Sequence, residues 1–407
     1  MKNDIKTSLQ ENEFAALKDK AHVILRWATG VGKSKMAIDL VNNAACTIGC
    51  NDRRIDVAFI VAERAHIKNW QEEFDKWGLL ERCMNIHIYC YASLNKLKNS
   101  NIDILVLDEA HHCFTEKRMA ILESIQAKYV YLLSATLSYN KIEEIESLYG
   151  PFTISTVSLK KAISTEILPD PRVNIIPMEL DNTTPNQEIV IGKNGPTIKW
   201  EERNKYIYNK KPCVIKCTER QKYNYLTTNM DYWKDRYQRS NNQIFHNKWV
   251  NLGSQRKRFL GELKTQKTKK LIASFPHDRR FICFCASVEQ ANKLDAENTI
   301  SSKRSSLLNQ KIIDAFNSKS LHRIYAVGMA NEGLNLTDIQ AGVIVQLDGK
   351  ERLFIQKAGR AMRADSPVIY IIYYKDTQDE VYLKKALENI DEKFIKFTNI
   401  CQSTKAQ

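Results

Sequence analysis

Short apolar runs of five to seven residues alternate with longer stretches of mixed polarity along most of the chain. Near-continuous apolar strands separated by helix-length segments are typical of parallel sheets whose two faces are both buried. The runs fall into two groups of four, at 22–27, 56–62, 102–108 and 129–134, and then at 281–285, 323–328, 342–347 and 368–374. The pattern therefore predicts the α/β class, with two parallel-sheet domains.

The chain between the two groups follows a different pattern. Residues 173–180 (V-N-I-I-P-M-E-L) resemble a further strand, whereas residues 199–270 are mostly helical in pattern. We predict a first domain over residues 1–165 and a second domain over residues 166–407. The second domain is expected to carry an insertion at about residues 182–270.

Positive charge is concentrated in this middle part of the chain. The 407 residues have a formal net charge of +14. Residues 199–270 contain 19 Lys or Arg against six acidic residues, a net +13, together with 11 aromatic residues. A basic excess favours an anionic partner, with nucleic acid first and an acidic membrane second. The two predicted domains are nearly neutral, so the insertion is the expected contact surface for that partner.

The remaining composition excludes several classes of protein. Hydrophobic residues make up 43% of the chain, which is enough to build cores and excludes a disordered chain. No run reaches about 18 apolar residues, and the N-terminal residues contain no apolar h-region, so we expect neither a membrane span nor a secretory signal. The ten cysteines are expected to be reduced thiols without a structural metal. Their close pairs lack zinc-site spacing: Cys46/Cys50, Cys213/Cys217 and Cys283/Cys285.

A phosphate-binding loop follows the first apolar run. The sequence A-T-G-V-G-K-S (28–34) lies between the run at 22–27 and a helical pattern. Glycines let the backbone wrap around phosphates, and the amides at the start of the helix attract the anion. Lys33 is expected to reach the β- and γ-phosphates, and the Ser34 hydroxyl to bind Mg²⁺. Trp27 stands where the general pattern has a first glycine. The candidate nucleotide-binding residues of this loop are Thr29, Gly30, Val31, Gly32, Lys33 and Ser34.

A pair of acidic residues follows the third apolar run, in D-E-A-H (108–111). An Asp at the carboxyl end of a parallel strand is expected beside the phosphate-binding loop. Asp108 can hold Mg²⁺ through water, and Glu109 can orient and deprotonate the attacking water. The alternative is a solvated turn, since Asp-Glu pairs are common. The apolar run before the pair favours the functional interpretation.

Two further segments carry candidate chemistry. S-A-T (134–136) follows the fourth apolar run, and Q-K-A-G-R-A-M-R (356–363) lies near the C-terminus. Arg360 and Arg363 are spaced by one helical turn, so both can project to one side. Two guanidinium groups aimed at a γ-phosphate would stabilise the charge of the transition state. Considered alone, two arginines on a helix are more typical of a solvated face.

In this order, the segments resemble the conserved motifs of superfamily 2 helicases and translocases, the DEAD/DEAH-like group. A-T-G-V-G-K-S resembles motif I, D-E-A-H motif II and S-A-T motif III. R-F-I-C-F-C-A-S (280–287), N-E-G-L-N-L (331–336) and Q-K-A-G-R-A-M-R resemble motifs IV, V and VI. The resemblance implies two RecA-like domains with ATP and Mg²⁺ in the cleft between them. Arg360 and Arg363 of the second domain would complete the site on closure.

The resemblance also implies roles for further residues. Ser134, Thr136 and Gln356 would couple the ATP site to the nucleic-acid groove. Gly333 and Asn335 would touch ATP or the strand. Gln10 would read adenine as the glutamine of the family's Q-motif does, the alternative being a surface glutamine on a helix. The implied nucleic-acid contacts of the motor domains are Arg64, Ser93 and Ser287.

Departures from the DEAD-box pattern narrow the subfamily. Residues 61–77 (V-A-E-R-A-H-I-K-N-W-Q-E-E-F-D-K-W), through their W-x-x-E-F-x-K-W pattern, and the G-L-N-L of motif V look more like Swi/Snf-type translocases, restriction-enzyme motors and phage helicases. Residues 90–94 (C-Y-A-S-L) stand where DNA translocases carry a T-Y-x-S-L-like stretch. These likenesses favour DNA over RNA as the substrate of an ATP-dependent helicase or translocase. A translocase that never separates strands, and an RNA helicase, remain alternatives. Trp27 and the missing motif V threonine near Gly328 leave open a third interpretation, a nucleic-acid clamp without catalysis.

The basic insertion is the part that the motifs do not explain. Its cations would neutralise phosphates and its aromatic rings would stack on unpaired bases. Alternatively, rings at helical spacing form a small core. We expect a core around Tyr223, Leu226 and Met230, and exposed cations at residues 264–270 and at Arg256, Lys257 and Arg258. We expect a monomer that works with replication or recombination proteins, without a membrane, in the cytoplasm of a bacterial or phage-infected cell.

Overall fold

The computed structural model describes residues 2–49, 53–135, 137–191, 213–328, 336–347, 367–388 and 390–398. Within these residues the chain forms two parallel sheets and one small antiparallel pair of strands. The predicted α/β class with two parallel sheets is confirmed. The domain boundary placed after residue 165 stays a prediction.

Six parallel strands form the first sheet. They are β1 (His22–Trp27), β2 (Ile55–Val61), β3 (Met84–Cys90), β4 (Asn101–Leu107), β5 (Gln126–Leu133) and β6 (Thr153–Val157). Their spatial order is β3-β2-β4-β5-β1-β6, and every neighbouring pair is parallel. The central strands are buried on both faces, which is why they appear in the sequence as continuous apolar runs.

Six α-helices precede, connect or follow these strands in the described residues. They are α1 (Lys2–Leu17), α2 (Lys33–Ile48), α3 (Ala65–Trp77), α4 (Glu116–Glu123), α5 (Tyr139–Tyr149) and α6 (Leu159–Ser164). Short 3₁₀ helices lie at Glu81–Cys83, Tyr91–Leu97 and Ala110–His112. In α2 the buried residues Met36, Leu40, Val41 and Ala44 follow helical spacing, so one face of α2 packs against the sheet.

Seven parallel strands form the second sheet. The strands after the first sheet are β7 (Arg172–Met178), β8 (Gln187–Ile191), β9 (Cys213–Cys217), β10 (Phe281–Phe284), β11 (Thr299–Ser301), β12 (Arg323–Val327), β13 (Ala341–Ile344), β14 (Val368–Tyr374) and β15 (Ile395–Phe397). The sheet has the order β11-β12-β10-β13-β14-β7-β15. Strands β8 and β9 pair antiparallel outside it. The later helices are α7 (Glu219–Ser240), α8 (Gln243–Leu263), α9 (Thr265–Ala273), α10 (Val288–Asp295), α11 (Ser306–Asn317) and α12 (Gln378–Leu387), with a 3₁₀ helix at Glu392–Phe394.

All eight predicted runs form strands, and residues 173–180 include all of β7 except its first residue. The four large-sheet strands absent from the prediction are β3, β6, β11 and β15, which are the four edges of the two sheets. An edge strand has one unpaired side and less burial, so its sequence is more polar or shorter. In β3, for example, the central residues are only half-buried. The apolar-run criterion therefore detects interior strands and misses edges.

The functional candidates of the first half gather at one end of its sheet. The phosphate-binding loop follows β1, Asp108 follows β4 and Ser134 follows β5. The carboxyl ends of parallel strands meet at one edge of a sheet, which is where ligands bind in open α/β folds. Strand β5 lies between β1 and β4, so Ser134 stands between the loop and Asp108 along this edge.

The insertion is built on the small strand pair and a helical hairpin. The capping box of Thr218 and Gln221 starts α7. Asn241, in the left-handed region, ends α7, and the side chain of Asn242 caps α8. The base of the hairpin is fixed to the second sheet's domain, because Gln378 of α12 donates its backbone N–H to the Tyr223 hydroxyl at 2.7 Å. The mainly helical character expected of residues 199–270 is thus confirmed for residues 219–270, and residues 192–212 lie outside the described residues.

A buried ion pair joins the junction of α8 and α9 to α12. Lys264 Nζ lies 2.6 Å from Asp379 Oδ2, with both side chains almost fully buried. Lys264 also donates to the Val345 carbonyl at 2.8 Å, while Gln346 donates to Asp379 Oδ1 at 2.7 Å. Burial lowers the pKa of the Lys264 amine, and the Asp379 carboxylate opposes that shift. The expectation of an exposed basic run over residues 264–270 is therefore wrong for Lys264, since helix packing turns it inward.

No helix in the described parts of the chain is long and apolar enough to cross a membrane. The cysteines whose side chains are described are free thiols, namely Cys46, Cys83, Cys90, Cys113, Cys217, Cys283 and Cys285.

Candidate ATP-binding site

The phosphate-binding loop joins β1 to α2 through two glycines in the left-handed region. Gly30 has φ 93° and Gly32 has φ 107°, a backbone conformation that side-chain-bearing residues rarely adopt. A methyl group added at Gly32 would collide with the Gln10 amide. Helix α2 begins at Lys33 without a side-chain cap on its first turn. The first amides of an α-helix have no carbonyl partner within the helix, so a helix start of this kind can bind an anion.

Side chains hold the carbonyl groups of this loop. Gln10 Nε2 donates to the Val31 carbonyl at 2.9 Å, and Lys6 Nζ donates to the Gly30 carbonyl at 2.8 Å. Gln10 is 5% exposed, so the alternative of a surface glutamine is wrong. Helix α1 therefore packs against the loop, and the sequence offered no signal for Lys6. Lys33 Nζ donates to the Trp27 carbonyl at 2.9 Å, which keeps its ammonium group at the loop.

Trp27, the departure from the glycine pattern, is a core residue. Its side chain is fully buried at the end of β1. The indole Nε1 donates to Ser155 Oγ at 2.7 Å, and Ser155 donates to Glu13 Oε2 at 2.7 Å. The ring thus points into the body of the domain and fixes the start of the loop to β6 and α1. The substitution supports the loop and gives no reason to doubt its function.

Asp108 lies directly after β4 and is held by hydrogen bonds on both carboxylate oxygens. Oδ1 accepts the Glu109 backbone N–H at 2.9 Å, and Oδ2 accepts Trp70 Nε1 at 2.9 Å. The Tyr91 hydroxyl donates to the Asp108 carbonyl at 3.0 Å. Neither Trp70 nor Tyr91 was a candidate from the sequence. The W-x-x-E-F pattern contains the tryptophan but carries no sign that its ring reaches a carboxylate 38 residues away.

Glu109 adopts a left-handed backbone conformation, with φ 45° and ψ 52°. Such a conformation is uncommon for a residue with a side chain and often occurs at functional sites. Glu109 Oε2 lies 3.4 Å from His111 Nδ1, and the Glu109 side chain is 20% exposed. The acid is therefore partly open to solvent while a buried histidine packs beside it. This placement suits a group that must meet a water molecule.

Two family models match the chain. The model described as "Type III restriction enzyme, res subunit" matches residues 2–139, and the model described as "Helicase conserved C-terminal domain" matches residues 261–365. The chain belongs to superfamily 2 of the helicases and translocases. The resemblance inferred from the motifs is thereby confirmed.

Solved structures show the same fold. The Hef helicase domain of Pyrococcus furiosus aligns with a TM-score of 0.50 and 16% identity, over 92% of this chain and 96% of that chain. S. cerevisiae Dbp5 bound to RNA and ADP BeF3 aligns with a TM-score of 0.57 and 12% identity, over 97% and 90%. At such identities the likeness concerns the fold, two RecA-like domains. A comparison with curated proteins found no match.

Superfamily 2 helicase domains imply an ATPase, with Mg²⁺ typical of the family. The residues of this superfamily 2 chain fit that ion. One oxygen of the Asp108 carboxylate accepts the hydrogen bond from Trp70 and the other accepts the bond from the Glu109 backbone N–H, and each oxygen has a second lone pair. The half-buried Ser34 hydroxyl lies in the first turn of α2. Carboxylate and hydroxyl oxygens are hard ligands of the kind that Mg²⁺ prefers, often through water.

Several candidates of this superfamily 2 chain lie outside the described residues. They are Thr136, Gly333, Asn335, Gln356, Arg360 and Arg363. Ser134 is buried at the end of β5, where its backbone N–H donates to the Leu25 carbonyl at 3.1 Å. The structure thus brings Ser134 beside the phosphate-binding loop, while the second-domain arginines remain predictions from the motif.

The candidate nucleic-acid contacts of the two domains differ in accessibility. Arg64 is exposed at the start of α3. Ser93 is half-buried, with its hydroxyl 3.5 Å from the Cys90 sulfur. The Ser287 hydroxyl accepts the Gln290 backbone N–H at 3.1 Å and caps α10. Its capping role accounts for the presence of Ser287 without any contact to nucleic acid. The Arg64 side chain makes no capping hydrogen bond to α3.

The structure corrects the prediction that residues 256–258 (R-K-R) of the insertion are all exposed. Arg256 is 6% exposed, donates to Thr227 at 3.2 Å and to Gln378 at 3.4 Å, and lies over the Tyr223 ring. It is an internal brace of the hairpin and a poor candidate for phosphate contact. Arg258 is exposed and Lys257 is half-buried, which helical spacing explains, because neighbours on a helix point in different directions.

The expected core of the insertion is largely as predicted. Tyr223 and Leu226 are buried, and Met230 is half-buried. Further along the hairpin, rings from α7 and α8 pack against each other. Tyr237 lies 4.9 Å from His246 and 6.1 Å from Trp249 between ring centroids. These three rings are half-buried, so they pack between the two helices without being fully enclosed.

Proposed function

We propose that this chain is an ATP-dependent DNA motor that couples hydrolysis to movement along nucleic acid or to its unwinding. The observation that carries the proposal is the convergence of the phosphate-binding loop, Ser134 and Asp108-Glu109 at one edge of the first sheet. That edge offers an uncapped helix start for phosphates and a carboxylate for Mg²⁺. The family assignment supports motor activity, and the 61–77 pattern favours DNA.

In the proposed mechanism, the amides of residues 30–34 and the Lys33 ammonium group bind the phosphates of ATP. Ser34 and Asp108 would hold Mg²⁺, which would supply positive charge beside the phosphate oxygens. Glu109 orients the attacking water and accepts its proton. Arg360 and Arg363 would stabilise the transferred phosphoryl group from the second domain. Gln10 would contact adenine beside the loop that it braces.

Hydrolysis of ATP with and without nucleic acid tests this proposal. We expect single-stranded or duplex DNA to raise the rate several-fold more than RNA does, and Lys33→Ala to lose the activity, because the loop then lacks its phosphate-binding cation. The measurement is phosphate release at saturating ATP. A rate that no nucleic acid raises would refute a nucleic-acid motor, and a preference for RNA would favour the RNA-helicase alternative.

A translocase that leaves strands paired is the second candidate. The W-x-x-E-F-x-K-W pattern at residues 70–77, which resembles Swi/Snf-type translocases, favours it. A forked-duplex assay and a triplex-displacement assay separate the two activities. Strand release from the fork supports a helicase. Removal of a third strand without release from the fork supports a translocase.

The helical hairpin is proposed to bind the nucleic-acid backbone. Lys248 Nζ lies 4.0 Å from the centre of the Trp233 ring, and Arg236 lies over the Phe245 ring at 5.3 Å. Lys234, Arg236 and Lys248 are all exposed. The charged groups of Lys248 and Arg236 thus lie over ring faces, and their side chains remain exposed to solvent. Such an arrangement presents positive charge at low entropic cost.

Replacement of Lys234, Arg236 and Lys248 by alanine should weaken DNA binding and make the affinity less sensitive to salt concentration. Each phosphate contact contributes about 0.7–0.9 to the slope of log K against log salt, so loss of three contacts lowers the slope by about 2–3. Fluorescence anisotropy at several salt concentrations measures this slope. Alanine at Lys117, Lys160 and Lys161, which are exposed around the first sheet, removes the same charge as a control. An equal change in both triple variants would contradict contact by the hairpin.

A further inference from the structure

Asp108, the proposed Mg²⁺ carboxylate, receives two hydrogen bonds from segments that are distant in sequence. Trp70 of α3 donates to the carboxylate at 2.9 Å, and Tyr91 donates to the backbone carbonyl at 3.0 Å. Tyr91 opens the 3₁₀ helix Tyr91–Leu97, which follows edge strand β3. Two separate elements thus determine where Asp108 lies. Nothing in the motif pattern assigns either residue a part in the site.

The Trp70 ring is held rigidly. It is 4% exposed, and its centroid lies 5.0 Å from that of Phe59 and 5.8 Å from that of Phe74. Phe59 lies on β2, the direct neighbour of β4. The aromatic contacts restrict rotation of the indole, so its N–H stays directed at the Asp108 carboxylate. An indole only donates, which makes it a matched partner for an ionised carboxylate and a poor one for a protonated acid.

Tyr91 is equally constrained. It is 3% exposed, and its hydroxyl donates to the Asp108 carbonyl at 3.0 Å. Arg118 lies over the ring at 5.3 Å and donates to the His112 carbonyl at 2.6 Å, which ties the same ring to the end of the motif II segment.

Both donors lie close in sequence to residues implied as nucleic-acid contacts. Arg64 stands at the start of α3, six residues before Trp70, which is about 9 Å along a helix. Ser93 lies two residues after Tyr91 in the same 3₁₀ helix. A displacement of either element on binding a strand would be transmitted by a rigid side chain to Asp108.

We propose that Trp70 and Tyr91 are positioning residues, which orient Asp108 for Mg²⁺ and link the metal carboxylate to the strand-contacting starts of their two elements. The proposal rests on the proposed function. Trp70 touches neither nucleotide nor metal in it and acts only through Asp108. Binding of nucleic acid at α3 would then favour the orientation of Asp108 that holds the ion, and so raise the rate of hydrolysis.

The test compares Trp70→Phe with Trp77→Phe. Phenylalanine keeps an aromatic ring and removes the N–H. Trp77, on the same helix, donates to Glu73 Oε2 at 2.7 Å and so provides a matched loss of an indole–carboxylate bond away from the site. The main readout is the Mg²⁺ dependence of binding a fluorescent ADP analogue, which needs no turnover. Partners that orient a metal ligand typically change metal affinity by about 10–100-fold.

We expect Trp70→Phe to require about 10-fold more Mg²⁺ for half-maximal nucleotide binding, and to lose most of the stimulation by nucleic acid. Trp77→Phe should match the wild type in both. Thermal unfolding of each variant identifies a general loss of structure. Tyr91→Phe, which removes only a hydroxyl, gives an independent second variant and should lower the stimulation in the same direction.

Equal Mg²⁺ dependence in Trp70→Phe, Trp77→Phe and the wild type would overturn the proposal. So would full stimulation by nucleic acid in both Trp70→Phe and Tyr91→Phe. If the wild type itself does not respond to nucleic acid, the proposed function and the link to the strand both fail. The Mg²⁺ titration still decides whether Trp70 positions Asp108, so the two failures can be told apart.

Discussion

Replacement of Glu109 by glutamine is expected to lower kcat for ATP hydrolysis by about 10²–10⁴-fold, the usual contribution of a general base. Glutamine keeps the length and shape of the side chain but cannot accept the proton of the attacking water. Because the phosphate-binding loop and Asp108 are untouched, Mg²⁺-dependent nucleotide binding should stay within about threefold of wild type. Phosphate release and binding of a fluorescent ADP analogue measure the two effects separately.

The structure supplies a control for this change. Glu116 lies in the first turn of α4, is exposed and belongs to none of the candidate motifs, so Glu116→Gln should hydrolyse ATP at the wild-type rate. Glu109 also contacts His111. His111→Ala therefore tests whether loss of that contact alone explains the effect. Turnover by Glu109→Gln at the rate of Glu116→Gln would rule out Glu109 as the base.

Replacement of Lys264 by methionine is expected to lower the free energy of unfolding by about 3–5 kcal/mol, the usual cost of removing one partner from a buried ion pair. Methionine fills similar space, so the loss is electrostatic. Asp379 would keep its bonds from Gln346 and Tyr374 but would remain a buried carboxylate without its counter-charge. Urea denaturation, followed by circular dichroism, measures the change.

Two companion variants separate charge from packing. Lys293 pairs with Glu262 on the exposed side of the same region, so Lys293→Met should cost only about 0–1 kcal/mol. In the double variant Lys264→Met/Asp379→Asn the unpaired charge is gone, while asparagine still accepts a hydrogen bond. That variant should regain a substantial part of the lost stability. If it is no more stable than Lys264→Met, the loss comes from packing and the account of the ion pair is wrong.

The interior of both sheets and the proposed chemistry near β1, β4 and β5 were predictable from local sequence. Eight apolar runs became strands because interior strands of a parallel sheet are buried on both faces. The positions after three of them place the loop, Asp108 and Ser134 on one edge, since parallel strands share their direction. The edge strands escaped prediction, because partial exposure lets their sequences be mixed.

The insertion shows where local pattern stopped being informative. Its net charge of +13 is a property of composition. Which cations face solvent depends on helix packing. Arg256 and Lys264 look in the sequence like Arg258 and Lys267, yet the first two are buried and form internal contacts. A lysine or arginine carries no sequence mark that distinguishes a phosphate contact from a buried brace.

Local sequence was enough for the α/β class, the candidate nucleotide residues and the basic insertion, and the resemblance of the motifs to a known family was enough for the superfamily. These features are local, because a phosphate-binding loop or a strand with its acidic end is contained in a few consecutive residues. Only the tertiary structure showed the contacts of Gln10 and Lys6 with the loop and the burial of Trp27. It also showed the hydrogen bonds that Trp70 and Tyr91 donate to Asp108. The hydrogen bonds of Gln10, Lys6, Trp70 and Tyr91 join residues that are 17 to 38 positions apart, and the bond from Trp27 to Ser155 joins residues 128 positions apart. Only packing brings such residues together, and no periodicity in the chain records it.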